Sequence, residues 1–112
     1  MFIKTDGDWD FLKYLGKIYY VDFYLPEGKS FYEKMEQSHR IVINSLKYAQ
    51  DQGYDYVLFN YGASTSGPVL GSPRSAVRSI MRSKEAAPYI IKKKSIQHES
   101  VFLVAIKPKI VP

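Results

Sequence analysis

The spacing of hydrophobic and polar positions predicts a mixed α/β domain. Residues 17–25 are rich in β-branched and aromatic side chains and are followed by Pro26 and Gly28, which predicts a strand. Residues 56–59 form a continuous apolar run, typical of a strand that is buried on both faces. A third apolar run, residues 101–106, predicts the last strand.

The longest predicted helix lies between the first two strands. Ser30 and Glu33 have capping-box spacing, in which the Ser hydroxyl accepts the Glu33 amide and the carboxylate reaches back. Apolar residues then recur at helical spacing until Gly53, which suits the position after a helix end. A helix over residues 31–52 makes a βαβ unit with an expected right-handed crossover.

A second helix is predicted after a glycine-rich loop. Ser72 and Pro73 suit its N-cap and first helical position. Pro88 predicts that it ends soon after Ala86. Its apolar stripe consists of Ala76, Val77, Ile80 and Met81. With residues 89–91 as an optional short strand, the order is β-α-β-α-(β)-β.

Length and composition favour one domain. The chain has 112 residues and no cysteine, which excludes disulfides and thiolate zinc sites. Two widely separated histidines predict no metal site and no cofactor. We assign residues 17–112 to the domain and residues 1–16 to an N-terminal arm or packed lead-in. With no membrane-length apolar run and an aspartate-rich start, a cytoplasmic location without membrane contact is expected.

Positive charge is concentrated in the second part of the chain. The net charge is +5, and division after Gly62 gives −2 for the first part and +7 for the second. The pI is about 9.3. Such asymmetry is typical of a polyanion-binding face. The alternative is a solvated basic surface that only aids solubility.

The second predicted helix carries much of this charge. Arg74, Arg78 and Arg82 recur every four residues and fall on adjacent strips of one face. An arginine fork donates two hydrogen bonds to phosphate at once. The candidate set for nucleic-acid binding also includes four lysines, Lys84, Lys92, Lys93 and Lys94. The alternative is that acids elsewhere in the chain pair with these arginines.

The loop before this helix has the spacing of a phosphate loop. Gly62 and Gly67 are separated by four residues, but Pro68 and Val69 stand where Lys and Ser/Thr belong. Nucleotide hydrolysis is therefore not expected. Loop residues Gly62, Ser64 and Thr65 could still approach phosphate through their amides. The alternative is an ordinary flexible connector.

Candidate catalytic residues are few. Asp22 is a carboxylate inside an aromatic strand, and His98 precedes the last strand. Tyr61 lies beside the glycine-rich loop, where it could stack on a base. A lone histidine is usually structural, and the alternative for Asp22 is an exposed strand residue.

The chain resembles the Smr, or small MutS-related, domain over about residues 18–107. Asp22 and Tyr24 stand where that family has aspartate-x-histidine, and Tyr61 and Gly62 stand where it has histidine-glycine. The resemblance implies a β-α-β-α-β-β two-layer sandwich with a four-stranded mixed sheet and two helices, similar to the C-terminal domain of a bacterial translation initiation factor. The segment of residues 62–108 also resembles small bacterial proteins carried on mobile elements.

Smr domains bind nucleic acid, and several cleave it with the histidines that this chain replaces. The resemblance therefore implies binding of DNA or RNA without cleavage. Two alternatives stay open. One is a degenerate nuclease using Asp22 with His98 or Tyr61, and the other is a protein-interaction module or homo-oligomer built on exposed aromatic residues.

Overall fold

The protein folds as a mixed sheet covered by two helices. A computed structural model describes residues 2–5, 12, 14–23, 30–61, 73–98 and 100–109. Over these residues the sheet has five strands in the order β1-β4-β5-β3-β2. The strands are β1 (Ile3–Lys4), β2 (Ile18–Asp22), β3 (Tyr56–Asn60), β4 (Ile96–Gln97) and β5 (Val101–Ala105).

The expected four strands are one too few. The α+β class, the mixed sheet and the two helices are confirmed, but β1 is an additional edge strand from the start of the chain. It pairs parallel to β4. Residues 89–91 do not form the short strand, since only Ile90 makes an isolated bridge, to Ile106.

Strand pairing places the most deeply buried strands, β3 and β5, inside the sheet. β2 runs parallel to β3, as expected for a βαβ unit, and β5 runs antiparallel to both β3 and β4. Every residue of β5 is buried, as are the three central residues of β3. These two central strands are apolar because both of their faces are covered.

Helix α1 (Phe31–Asp51) begins as its sequence predicts. The Ser30 hydroxyl accepts the Glu33 amide at 3.2 Å, as predicted. The Glu33 carboxylate accepts from the Ser30 hydroxyl at 3.1 Å, rather than from the Ser30 amide as the capping box predicts. At the other end Gly53 has φ +74°, a conformation that side chains with a Cβ rarely adopt. The cap and the glycine together set the helix length.

Helix α2 (Pro73–Met81) is shorter than predicted. It ends at Met81, and turns occupy residues 82–89, so Pro88 does not determine its end. Its predicted stripe of Ala76, Val77, Ile80 and Met81 is buried. These residues share one core cluster with the inner face of α1 and with the sheet residues Val57, Phe59 and Phe102.

The two faces of the sheet differ in what covers them. The helices lie on one face, whereas Leu12, Leu58, Val101 and Leu103 form a smaller buried cluster on the other. Within the described ranges no helix has the length and apolarity needed to cross a bilayer.

Candidate nucleic-acid interface

Arg78 of α2 and Arg82, which directly follows the helix, both contact the end of β4. The Arg82 Nη2 atom donates to the Gln97 side-chain oxygen at 3.4 Å. The Arg78 Nη2 atom donates to the His98 carbonyl oxygen at 3.4 Å. Arg82 is exposed, whereas Arg78 is partly buried and its Nε atom is buried without a hydrogen-bond partner. Arg82 is therefore the more accessible of the two cations.

Lys4 joins these arginines, although it belongs to the acidic first part of the chain. Its backbone lies opposite Gln97 in the parallel β1–β4 pair. Gln97 in turn lies opposite Phe102, which packs in the core cluster under the helices. Residues in one row of a sheet point to the same face, so Lys4 lies on the α2 side, beside the glutamine that Arg82 contacts. Lys4 is exposed.

The predicted lysine run lies at the start of β4. Lys92–Lys94 form one turn of 3₁₀ helix, and all three residues are exposed. Three consecutive residues in such a turn point in three directions, so the lysines spread over the surface. Lys94 precedes Gln97 by only three residues, which limits their Cα separation to roughly 10 Å.

We call the resulting surface the basic edge. It consists of six basic residues along β1 and β4, namely Lys4, Arg78, Arg82, Lys92, Lys93 and Lys94. Lys84 is also exposed, in the turns after α2, but no described contact ties it to this edge.

Carboxylates of the described residues pair elsewhere. The described ion pairs join His39 to Glu85, Arg40 to Glu36 and Lys109 to Asp51. Among the described residues, no carboxylate forms an ion pair with a member of the basic edge. The alternative in which acids elsewhere neutralise the arginines therefore does not hold for Arg78 or Arg82 as far as the described carboxylates are concerned.

The lysine run lies near the opposite end of β3 from Tyr61, the last described residue before the glycine-rich loop. The Ile91 amide, just before the run, donates to the Ala105 carbonyl, and Ala105 lies opposite Tyr56 at the start of β3. The loop follows the other end of β3, about 13 Å away for a strand of this length. Gly62, Ser64 and Thr65 lie outside the described residues, as does the side chain of Arg74 in the first turn of α2.

Tyr61 and His98 are parts of the buried structure. Tyr61 is 6% exposed, and its hydroxyl donates to the backbone carbonyls of His98 and Val101. Little of its ring is left for a base to stack on. The His98 side chain is 4% exposed, and its Nδ1 atom accepts the Ser100 amide at 3.0 Å. Both side chains hold the turn between β4 and β5.

Asp22 is exposed at the end of β2 and lies opposite Asn60. The same row of the sheet continues through Val101 to His98, whose amide donates to the Val101 carbonyl. Asp22 and His98 are thus three strand spacings apart, roughly 14 Å. That separation is too large for the two to act on one proton. The described residues also contain no cluster of three or more metal-ligating side chains.

Comparisons with known proteins add no assignment to this geometry. No family model matches the chain, and searches of curated proteins and of solved structures find no significant match. The likeness to Smr domains stays an expectation from the sequence pattern, and the function is argued from the basic edge.

Proposed function

We propose that the protein binds the phosphate backbone of nucleic acid through the basic edge. The observation that carries the proposal is the group of basic side chains at β1 and β4 that no described carboxylate neutralises. Clustered cations attract a polyanion because binding releases the counterions condensed on it. The net charge of +5 adds a long-range attraction between the protein and a negatively charged nucleic acid.

Different members of the basic edge serve different contacts. Arg82 is exposed, and its Nη1 and Nη2 atoms donate to the Arg78 carbonyl and the Gln97 side chain, both at 3.4 Å. Each Nη atom carries a second hydrogen that a phosphate oxygen can accept. The lysines act as flexible point charges that tolerate many backbone positions. Arg78 contributes charge, but its bond to the His98 carbonyl also ties α2 to the turn after β4. Such contacts position a nucleic acid without reading its bases.

The proposal contains no cleavage step. Asp22 lies on β2, at the opposite edge of the sheet from the basic edge. Tyr61, which stands at one family histidine position, is buried with its hydroxyl bonded to two carbonyl groups. The glycine-rich loop, with Gly62, Ser64 and Thr65, remains a candidate second contact from sequence alone.

A salt series tests the proposal. Affinity for a short labelled duplex of DNA, and for the RNA duplex of the same sequence, is measured by fluorescence anisotropy from low to physiological salt. The logarithm of the association constant should fall linearly with the logarithm of the salt concentration, with a slope of about −0.9 for each phosphate contacted on DNA. An affinity that does not change with salt, or no binding at low salt, contradicts the proposal.

A matched pair of substitutions locates the contact. Arg82→Ala should weaken binding to all sequences and reduce the magnitude of the salt slope by about one. Lys47→Ala removes the same charge from an exposed position on α1 and should leave affinity and slope unchanged. Equal losses in the two variants would mean that net charge, rather than the basic edge, determines binding.

A further inference from the structure

Among the described residues, the opposite edge of the sheet is an open strand. β2 is the last strand in the order β1-β4-β5-β3-β2, and its one described partner strand is β3. The Phe23 amide donates to the Asn60 carbonyl, and the Lys17 carbonyl accepts the Tyr56 amide. In a parallel pair the bonded residues alternate, so the odd-numbered residues of β2 face β3.

The even-numbered residues Ile18, Tyr20 and Asp22 therefore direct their backbone amides and carbonyls away from the sheet. No described atom forms a hydrogen bond with these outward amides and carbonyls. Natural edge strands are usually protected by lysine, proline or a bulge. β2 has none of these between Ile18 and Asp22, and its central Tyr20 is 54% exposed.

We propose that β2 pairs antiparallel with β2 of a second copy of this chain, around a twofold axis at Tyr20. In this register Tyr20 lies opposite Tyr20, and Ile18 lies opposite Asp22 of the other copy. Every outward amide and carbonyl of the three residues then gains a partner. A register shifted by two residues leaves one of the three unpaired on each chain.

Side chains on both faces support the self-pairing. The two Tyr20 rings face each other on the sheet face away from the helices, and aromatic cross-strand pairs stabilise antiparallel sheets. On the helix side, Tyr19 lies opposite Val21 of the other copy, and both are only partly buried in the monomer. Asp22 lies opposite Ile18 of the other copy at each end of the paired segment. The pairing therefore buries apolar area on both faces of the joined sheet.

The absence of cysteine makes the register directly testable. Tyr20→Cys introduces a single thiol, and the two copies of residue 20 would have Cα atoms about 5.5 Å apart, within disulfide range. Mild oxidation should convert this variant to a covalent dimer. Ile18→Cys should not cross-link to itself, because its equivalents lie about four residues apart along the strand, but a mixture of Ile18→Cys and Asp22→Cys should form the mixed dimer.

Solution mass provides the second measurement. The wild-type protein should reach twice its 12.9 kDa mass as its concentration rises in sedimentation equilibrium. Tyr20→Lys places two like charges opposite each other and should stay monomeric, with unchanged circular dichroism. Tyr32→Lys makes the same change at a 79%-exposed position on α1 and should dimerise like wild type. A monomeric wild type, a dimeric Tyr20→Lys variant, or cross-linking of Ile18→Cys alone as readily as Tyr20→Cys overturns the proposal.

Discussion

The two edges of the sheet present opposite chemistry. The basic edge at β1 and β4 has a two-residue outer strand and six cations without described carboxylate partners. The β2 edge has five residues, one charged side chain and an exposed tyrosine. Lysine and a very short strand discourage strand pairing, whereas a longer strand with no lysine permits it. The comparison teaches that the two edges of one sheet can be suited to different partners, one to a polyanion and the other to a strand of a second protein chain.

The basic residues at the basic edge do not all come from the basic second part of the sequence. Lys4 comes from the part of the chain with net charge −2, yet it lies opposite Gln97 on the basic edge. Lys107 and Lys109 come from the basic part, yet they contact the Ala87 carbonyl and the Asp51 carboxylate. Strand pairing, rather than position in the chain, determines which charges act together.

The largest expected effect comes from reversing the charge of the lysine run. Lys92→Glu, Lys93→Glu and Lys94→Glu together should lower affinity for duplex DNA by more than about tenfold at physiological salt, since three attractive charges become repulsive. All three residues are exposed, so the fold should remain. Anisotropy titrations measure the affinity, and thermal unfolding monitors the fold.

The same triple variant sharpens the comparison, because its dimerisation through β2 should be unaffected. If the two edges act independently, the triple variant loses DNA binding but still forms the dimer. Loss of both properties in a folded variant would show that the two edges are coupled.

A smaller effect is expected from loosening the outer strand. Phe2 packs edge-on against Phe102 with ring centroids 5.1 Å apart and thereby holds β1 on the sheet. Phe2→Ala should cost about 1–2 kcal/mol, less than for a fully buried ring, because Phe2 is only partly buried. Hydrogen exchange should accelerate at the Ile3 and Thr5 amides, which donate to the Ser95 and Gln97 carbonyls.

Affinity for DNA should fall a few-fold in this variant, since Lys4 leaves the basic edge when β1 detaches. The Tyr56 and Phe59 amides in the central strand should keep their protection. Faster exchange throughout the sheet would instead mean that Phe2 stabilises the whole domain rather than this edge.

Much of the fold could be predicted because its larger elements carry local signals. The capping box at Ser30, Gly53 at the end of α1 and the apolar runs in β3 and β5 each act within a few residues. The end of α2 could not be predicted from Pro88. The helix stops at Met81, and a series of turns follows before that proline.

The candidate site was harder to predict because it depends on pairing between distant short strands. β1 and β4 have two residues each, too few for a periodic pattern. Their pairing brings Lys4 next to the residue that Arg82 contacts, and no local signal connects these positions. Tyr61 illustrates the opposite problem, since its position after a strand does not reveal that its hydroxyl is bonded inside the core.

A single-charge effect is expected for Lys4. Lys4→Ala should weaken DNA binding modestly and reduce the magnitude of the salt slope by about one, as for any lysine that contacts one phosphate. The comparison variant is Lys47→Ala, which removes an exposed charge on α1. If Lys4→Ala matches Lys47→Ala in both quantities, the contact surface does not extend to β1.

The smallest effect is expected for Asp22→Asn, although it raises the net charge by one unit. Asp22 lies on β2, three strand spacings or roughly 14 Å from β4, whereas the Debye length at physiological salt is about 8 Å. Its charge should therefore be screened from a polyanion on the basic edge, and affinity should change by less than about twofold. A gain of several-fold would instead place the polyanion at the end of β2 and β3 from which the glycine-rich loop departs. The β2 edge would then be the binding surface, and the assignment of the two edges would be reversed.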